Sequence, residues 1–149
     1  MILRSIFAFA RFFLHLRYRV RIEGIDKFDY NGPIIVFPNH PALVDPMIMI
    51  TEIGKKKILS PVMTETYMTT PWLSPILKAM KTVPVGDLAR GGSIDDVEKA
   101  FQGIRDGLEN KQNILIYPSG HIYVQPFEHI VWKKMAYEIV SRLPKDAKI

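Results

Sequence analysis

The 149-residue chain contains no cysteine, which excludes a disulfide framework and any thiolate metal site. It also lacks a long apolar run. Arg4 and Arg11 interrupt the Ile-, Leu-, Phe- and Ala-rich opening segment, so nothing reaches the ~18–20 apolar residues that span a bilayer. The same interruptions, with no small-residue cleavage site, exclude the pattern of a secretory signal peptide. No internal repeat, low-complexity tract or linker divides the chain. Histidines number four, and His121 and His129 have no neighbouring acidic pair in a ligand pattern, so metal catalysis is not expected. Gly-x-Ser-x-Gly is absent because Tyr117 and His121 stand where its glycines would flank Ser119, which argues against a serine esterase.

What is present is globular. A hydrophobic content of 48% against 23% charged residues suits one domain with one core rather than a disordered tail. The net charge of +5 is local: Arg4, Arg11, Arg17, Arg19 and Arg21 all precede the first acid, Glu23, and the 15 later basic residues balance the 15 acidic ones. A basic patch on a balanced body attracts an anionic surface, and no nucleic-acid partner is expected. On a helical wheel Arg4, Arg11 and His15 cluster, opposite Ile2, Ile6, Phe9, Phe13 and Leu16. That pattern predicts an amphipathic helix over residues 1–16, lying in a membrane interface or packed on its own domain. The remainder, 17–149, reads as one domain.

Along that domain, Arg17 to Ile22 alternates basic and apolar residues and predicts a half-buried strand. Ile34 to Phe37 is a continuous apolar strand after the Gly32-Pro33 turn. A helix is predicted from Ala42 to Ile53, a lysine-rich loop at Lys55-Lys56-Lys57, a short strand from Ile58 to Ser60, and a short helix from Trp72 to Met80 introduced by Pro71. Ser93 opens the clearest helix, with Asp95 and Asp96 in its first turn and a stripe of Ile94, Val97, Phe101, Ile104 and Leu108. A buried strand from Asn113 to Tyr117 and a helix from Trp132 to Leu143 follow. Strands alternating with helices predict an α/β fold, a largely parallel sheet flanked by helices, with the N-terminal amphipathic helix added. Ala147-Lys148-Ile149 stops where this pattern would supply another strand, so the domain is expected to be incomplete at its C-terminus.

In such a sheet the site lies beyond the carboxyl ends of the strands. Asn39-His40-Pro41-Ala42-Leu43-Val44-Asp45 follows the first apolar strand, and Tyr117-Pro118-Ser119-Gly120 follows a later one, at the same edge. His40 and Asp45 supply a base and an orienting carboxylate, the minimum for activating a hydroxyl. Five helical steps separate side chains by roughly 140°, so the pair converges only if His40 lies in a turn before the helix. Pro41 would then occupy the first helical position and Asp45 the second turn.

The segment from Gly32 to Asp45 resembles the first signature of the glycerolipid acyltransferase family, Asn-His, four residues, then Asp, after a buried strand. Val83-Pro84-Val85-Gly86-Asp87-Leu88-Ala89-Arg90 resembles the family's second block, and Ile114-Leu115-Ile116-Tyr117-Pro118-Ser119-Gly120 its third, usually written Phe-Pro-Glu-Gly. The blocks stand in the family's order across roughly residues 20–143.

The resemblance implies transfer of a fatty acyl group from a thioester donor, acyl-CoA or acyl-carrier protein, to the free hydroxyl of a lysophospholipid, with no bound cofactor. His40 would be the general base and Asp45 its partner. Asn39, Arg90, Pro118, Ser119 and Gly120 would contact substrate, with Arg90 gripping the phosphate and Gly91-Gly92 admitting close approach. Asn39 would donate to the developing oxyanion or hold the turn. Ser119 replaces the usual glutamate, which bears on the head group more than on acyl transfer. The expected place is the cytoplasmic face of a membrane, bound peripherally or monotopically. The alternative is a non-catalytic membrane-surface domain with a degraded site.

Overall fold

A computed structural model describes residues 2–86, 93–120, 122 and 134–149. Helix α1 (Ile2–Arg17) leads to a 3₁₀ turn (Ile25–Phe28), then β1 (Ile35–Val36), α2 (Asp45–Ile53) and β2 (Leu59–Thr64). A second 3₁₀ turn (Glu65–Thr69), α3 (Ser74–Ala79), β3 (Val83–Val85), α4 (Ile94–Glu109), β4 (Asn113–Leu115) and α5 (Lys134–Ser141) complete the order. The four strands form one sheet in the order β1-β4-β2-β3, every pair parallel. The fold is therefore α/β with a parallel sheet between helices.

The apolar strands are continuous because both faces are covered. Ile34, Leu115 and Leu59 pack on one face with Ile50 and Ile53 of α2 and Phe7 of α1; Val36 and Tyr117 lie against the same cluster. Ile35, Ile114, Ile116 and Val83 pack on the other face with Ile104 and Leu108 of α4 and Ile139 of α5. Period-two alternation thus sends successive residues of one strand to different cores. A Cβ on Gly103 would stand 2.9 Å from Val83 Cγ1, and one on Gly107 3.0 Å from Ile114 Cδ1. Two glycines one turn apart let α4 lie close to the sheet.

Helix α4 begins as its sequence predicts. The Ser93 hydroxyl accepts from the Asp96 N–H at 3.2 Å, and Asp96 Oδ2 accepts from the Ser93 N–H at 2.8 Å, a reciprocal cap. Other boundaries differ. Residues 18–24 form no strand, and their alternating basic and apolar side chains stay largely exposed. Strand β2 runs past Ser60 and through Pro61 to Thr64, because Leu59 to Pro61 pairs with β4 and Val62 to Thr64 pairs with β3. The missing proline N–H falls where one partner gives way to the other. The short helix starts at Ser74, with Pro75 rather than Pro71 in its first turn. Strand β4 ends at Leu115, and α5 ends at Ser141 rather than Leu143, while the predicted start at Trp132 lies outside the described residues. The lysine run is a turn and loop in which Lys55 pairs with Glu52, Lys56 with Asp29, and Lys57 donates to the Gly32 carbonyl. At the far edge, Lys148 pairs in parallel with Ile34 beside β1.

Helix α1 is oriented opposite to a simple surface amphipath. Leu3 and Phe7 pack into the core, while Arg11 and His15 on the same stripe reach the buried carboxylate of Glu52. The opposite stripe, Ile2, Phe9, Phe12, Phe13 and Leu16, is more than half exposed at every position.

Candidate active site

The chain after β1 turns to the α1–α2 face, and the chain after β4 leads to α5 on the opposite face. β1 and β4 are neighbours, and the crevice beyond the carboxyl ends of such strands is where an α/β sheet ordinarily binds its ligand. His40 stands four residues beyond Val36, and Tyr117 two beyond its register partner Leu115. Both therefore sit at the mouth of the crevice.

Helix α2 starts at Asp45, three residues later than the sequence suggests, with Val44 as its N-cap and Pro46 in the first turn. Pro41 precedes the helix, and Asp45 occupies the first turn rather than the second. There its charge is favoured by the helix N-terminus. Asp45 Oδ2 accepts from the Ala42 N–H at 2.7 Å and faces His40 Nδ1 at 3.1 Å. A carboxylate beside Nδ1 holds a proton there and leaves the basic lone pair on Nε2. Both side chains are mostly shielded, with His40 14% and Asp45 18% exposed. In that environment their attraction is stronger than it would be in bulk water.

Tyr117 completes the arrangement. Its ring stacks on the His40 imidazole, centroids 4.1 Å apart and planes at 27°. Its hydroxyl is buried and has no hydrogen-bond partner among the described residues. Burial first, and the Asp45 charge second, push its ionisation far above the usual range, so the phenol stays neutral.

The other predicted residues are less uniform. Asn39 is exposed, and in the turn that follows it the Ala42 N–H donates to Asp45. Tyr117 to Gly120 form a tight turn, with the Gly120 N–H donating to the Tyr117 carbonyl at 3.0 Å and Gly120 at a φ of 64°. Pro118 is half-buried, and Ser119 is buried at 4% exposure. Arg90 and Gly91-Gly92 lie outside the described residues, as do His121 and His129. Among the described residues no group of His, Asp or Glu is arranged to hold a metal ion, and no helix is long and apolar enough to cross a membrane.

Two residues that matter carry no role in the sequence reading. Tyr117 was legible in principle, since the strand period places it on the same face as Leu115, the α2 side. Glu52 was legible as the one acid inside the apolar run from Met47 to Ile53. Its carboxyl is disfavoured by burial, yet bonds from Lys55, His15 and Arg11 outweigh that and hold it down to about 2.

No curated protein and no solved structure matches this chain. The family profile described as Acyltransferase matches residues 19–148, from the connector after α1 to the bridge beside β1. With that match spanning nearly the whole chain, and with an Asn-His-x₄-Asp turn built at the crevice of a parallel sheet, the chain belongs to the acyltransferase family.

Proposed function

We propose that this acyltransferase moves a fatty acyl group from an acyl thioester to the free hydroxyl of a lysophospholipid, with His40 as general base. The observation that carries the reading is the 3.1 Å contact of Asp45 Oδ2 with His40 Nδ1 at the crevice. His40 Nε2 takes the hydroxyl proton as the acceptor oxygen attacks the thioester carbonyl. The tetrahedral intermediate then collapses, the C–S bond breaks, and the thiolate leaves with the proton returned by the imidazolium. Asp45 stabilises that imidazolium and fixes its tautomer. General-base assistance of this kind contributes about 10²–10⁴ in rate.

No covalent acyl-enzyme is required, because the thioester is already activated. The burial of Ser119 weighs against a serine nucleophile, and the intact His40–Asp45 contact weighs against a degraded site. Arg90 is the residue proposed for the acceptor phosphate, by its place in the second block; a guanidinium binds phosphate bidentately. Asn39 and the Pro118-Ser119-Gly120 turn are proposed to border the bound acceptor. The donor is acyl-CoA or acyl-carrier protein, and the pathway is phospholipid synthesis or remodelling on the cytoplasmic face of a membrane.

Membrane contact is supported by the outward apolar stripe of α1, with the exposed Arg17 and Arg19 at its C-terminal end. Cations beside an apolar stripe suit an anionic interface. The test is turnover of lysophosphatidic acid in mixed vesicles with radiolabelled acyl thioester. His40→Ala should lose at least ~10² of the rate, the low end for a general base. Equal turnover by folded His40→Ala protein would overturn the assignment.

A further inference from the structure

We infer that Tyr117 is a positioning residue for His40, its ring holding the imidazole in plane and stabilising the imidazolium through its π-face. The inference rests on the proposed role of His40 as base. Asp45 meets the imidazole at its Nδ1 edge, at 3.1 Å, a contact in the plane of the ring rather than on its face. The Tyr117 ring closes one face, centroids 4.1 Å apart and near parallel. A cation over an aromatic face is attracted by the ring quadrupole, so the face contact strengthens when His40 gains its proton. The imidazolium is then met on an edge by a carboxylate and on a face by a π-system. Asp45 at the start of α2 and Tyr117 beyond β4 are titratable groups that face His40.

Tyr117 is itself well held. Pro118 restricts its backbone to extended conformations, its carbonyl accepts from Gly120, and the strand before it pairs with β1 through the Ile116 N–H to Val36 carbonyl bond at 3.1 Å. Its hydroxyl does not explain its presence, because it has no partner among the described residues and such a buried hydroxyl costs stability rather than adding it. The ring, not the hydroxyl, is the functional part.

The experiment compares Tyr117→Phe with Tyr117→Leu in the full chain. Proton NMR reads the His40 ring resonances, identified among the four histidines by their loss in His40→Gln. Stacking should displace them upfield in the native chain and in Tyr117→Phe, and Tyr117→Leu should release them. For turnover, Tyr117→Phe should stay within about threefold of native. Tyr117→Leu should lose about 10-fold or more in kcat with little change in KM, and the acidic limb of its rate profile should move to lower pH. Loss of kcat with an unmoved limb would mark a merely structural role. Identical His40 resonances in the native and Tyr117→Leu chains would overturn the proposal, as would Tyr117→Phe failing like Tyr117→Leu. If no chain turned over lysophospholipid, the proposed function would fall, while the NMR comparison would still decide the role of Tyr117.

Discussion

The Arg11 guanidinium on α1 donates from Nε to Oε1 of Glu52 on α2 across 2.9 Å, and Glu52 is only 5% exposed. His15 meets the same oxygen at 2.5 Å, and Lys55 holds the other. This contact decides which way α1 faces. Arg11 and His15, which would mark the solvent side of a surface helix, are turned inward, and Phe9, Phe12 and Phe13 are turned out.

Glu52 ties stability to acid. Its carboxyl is held at about 2 in the folded chain against an ordinary 4.5. A depressed carboxyl contributes stability that is present above the unfolded value and lost as pH falls through the folded one. The window is therefore about 4.5 down to about 2. Glu52→Gln should flatten the fall in Tm across that window. It should cost on the order of 1–3 kcal/mol at neutral pH, less than a fully buried pair because its cations can rehydrate. Thermal melts from pH 3 to 7 check both points.

Outward and inward phenylalanines of α1 should separate cleanly. Phe9 is 68% exposed, Phe12 61% and Phe13 52%, whereas Phe7 is 6% exposed. Replacing Phe9, Phe12 and Phe13 with Ser should leave Tm nearly unchanged and weaken binding to anionic vesicles by at least ~10²-fold, from lost apolar insertion. Phe7→Ala should instead destabilise the fold by about 3–5 kcal/mol. Vesicle sedimentation beside thermal melts reads the difference. Equal sedimentation of native and triple-variant chains would remove the membrane role of this face.

Asp45→Asn should keep the turn and lose the chemistry. The amide oxygen can still accept from the Ala42 N–H, which Asp45 now meets at 2.7 Å. The same oxygen faces His40 Nδ1 at 3.1 Å, so the tautomer is kept and what is lost is the charge that stabilises the imidazolium. We expect a loss of about 10²–10⁴ in kcat with less than about 1 kcal/mol in stability. Asp45→Ala should lose both, because the Ala42 N–H is left without that acceptor.

Packing of α4 on the sheet leaves no room at Gly103. A valine there would press into Val83, itself only 6% exposed. Gly103→Val should cost about 1–3 kcal/mol, a fall in Tm of roughly 2–12 °C for a chain of this size.

Arg90→Ala should weaken use of lysophosphatidic acid about 10–150-fold, the loss of a charge-assisted contact, and leave the affinity for the acyl donor little changed. The measurement is the ratio of kcat/KM for lysophosphatidic acid to that for a zwitterionic lysophospholipid. An unchanged ratio would withdraw the phosphate role.

Local chemistry along the chain determined a good part of this protein. Continuous apolar runs at Ile34–Phe37 and from Ile114 onward determine buried parallel strands, because only strands covered on both faces need no polar side. Ser93 and Asp96 determine the start of α4, since both halves of the cap lie three residues apart. The Asn39-to-Asp45 spacing, with the later blocks, determined the family. Tertiary structure decided what depends on partners distant in sequence. Residues 18–24 have the alternation of a strand and join no strand of the sheet. β2 passes through Pro61 because two different neighbours share it. The direction of α1 was decided by Glu52, 41 residues from Arg11, since a buried carboxylate needs cations and a helical wheel contains none of its neighbours. The ring against His40 came from a strand 77 residues later, brought there by the pairing of β1 with β4.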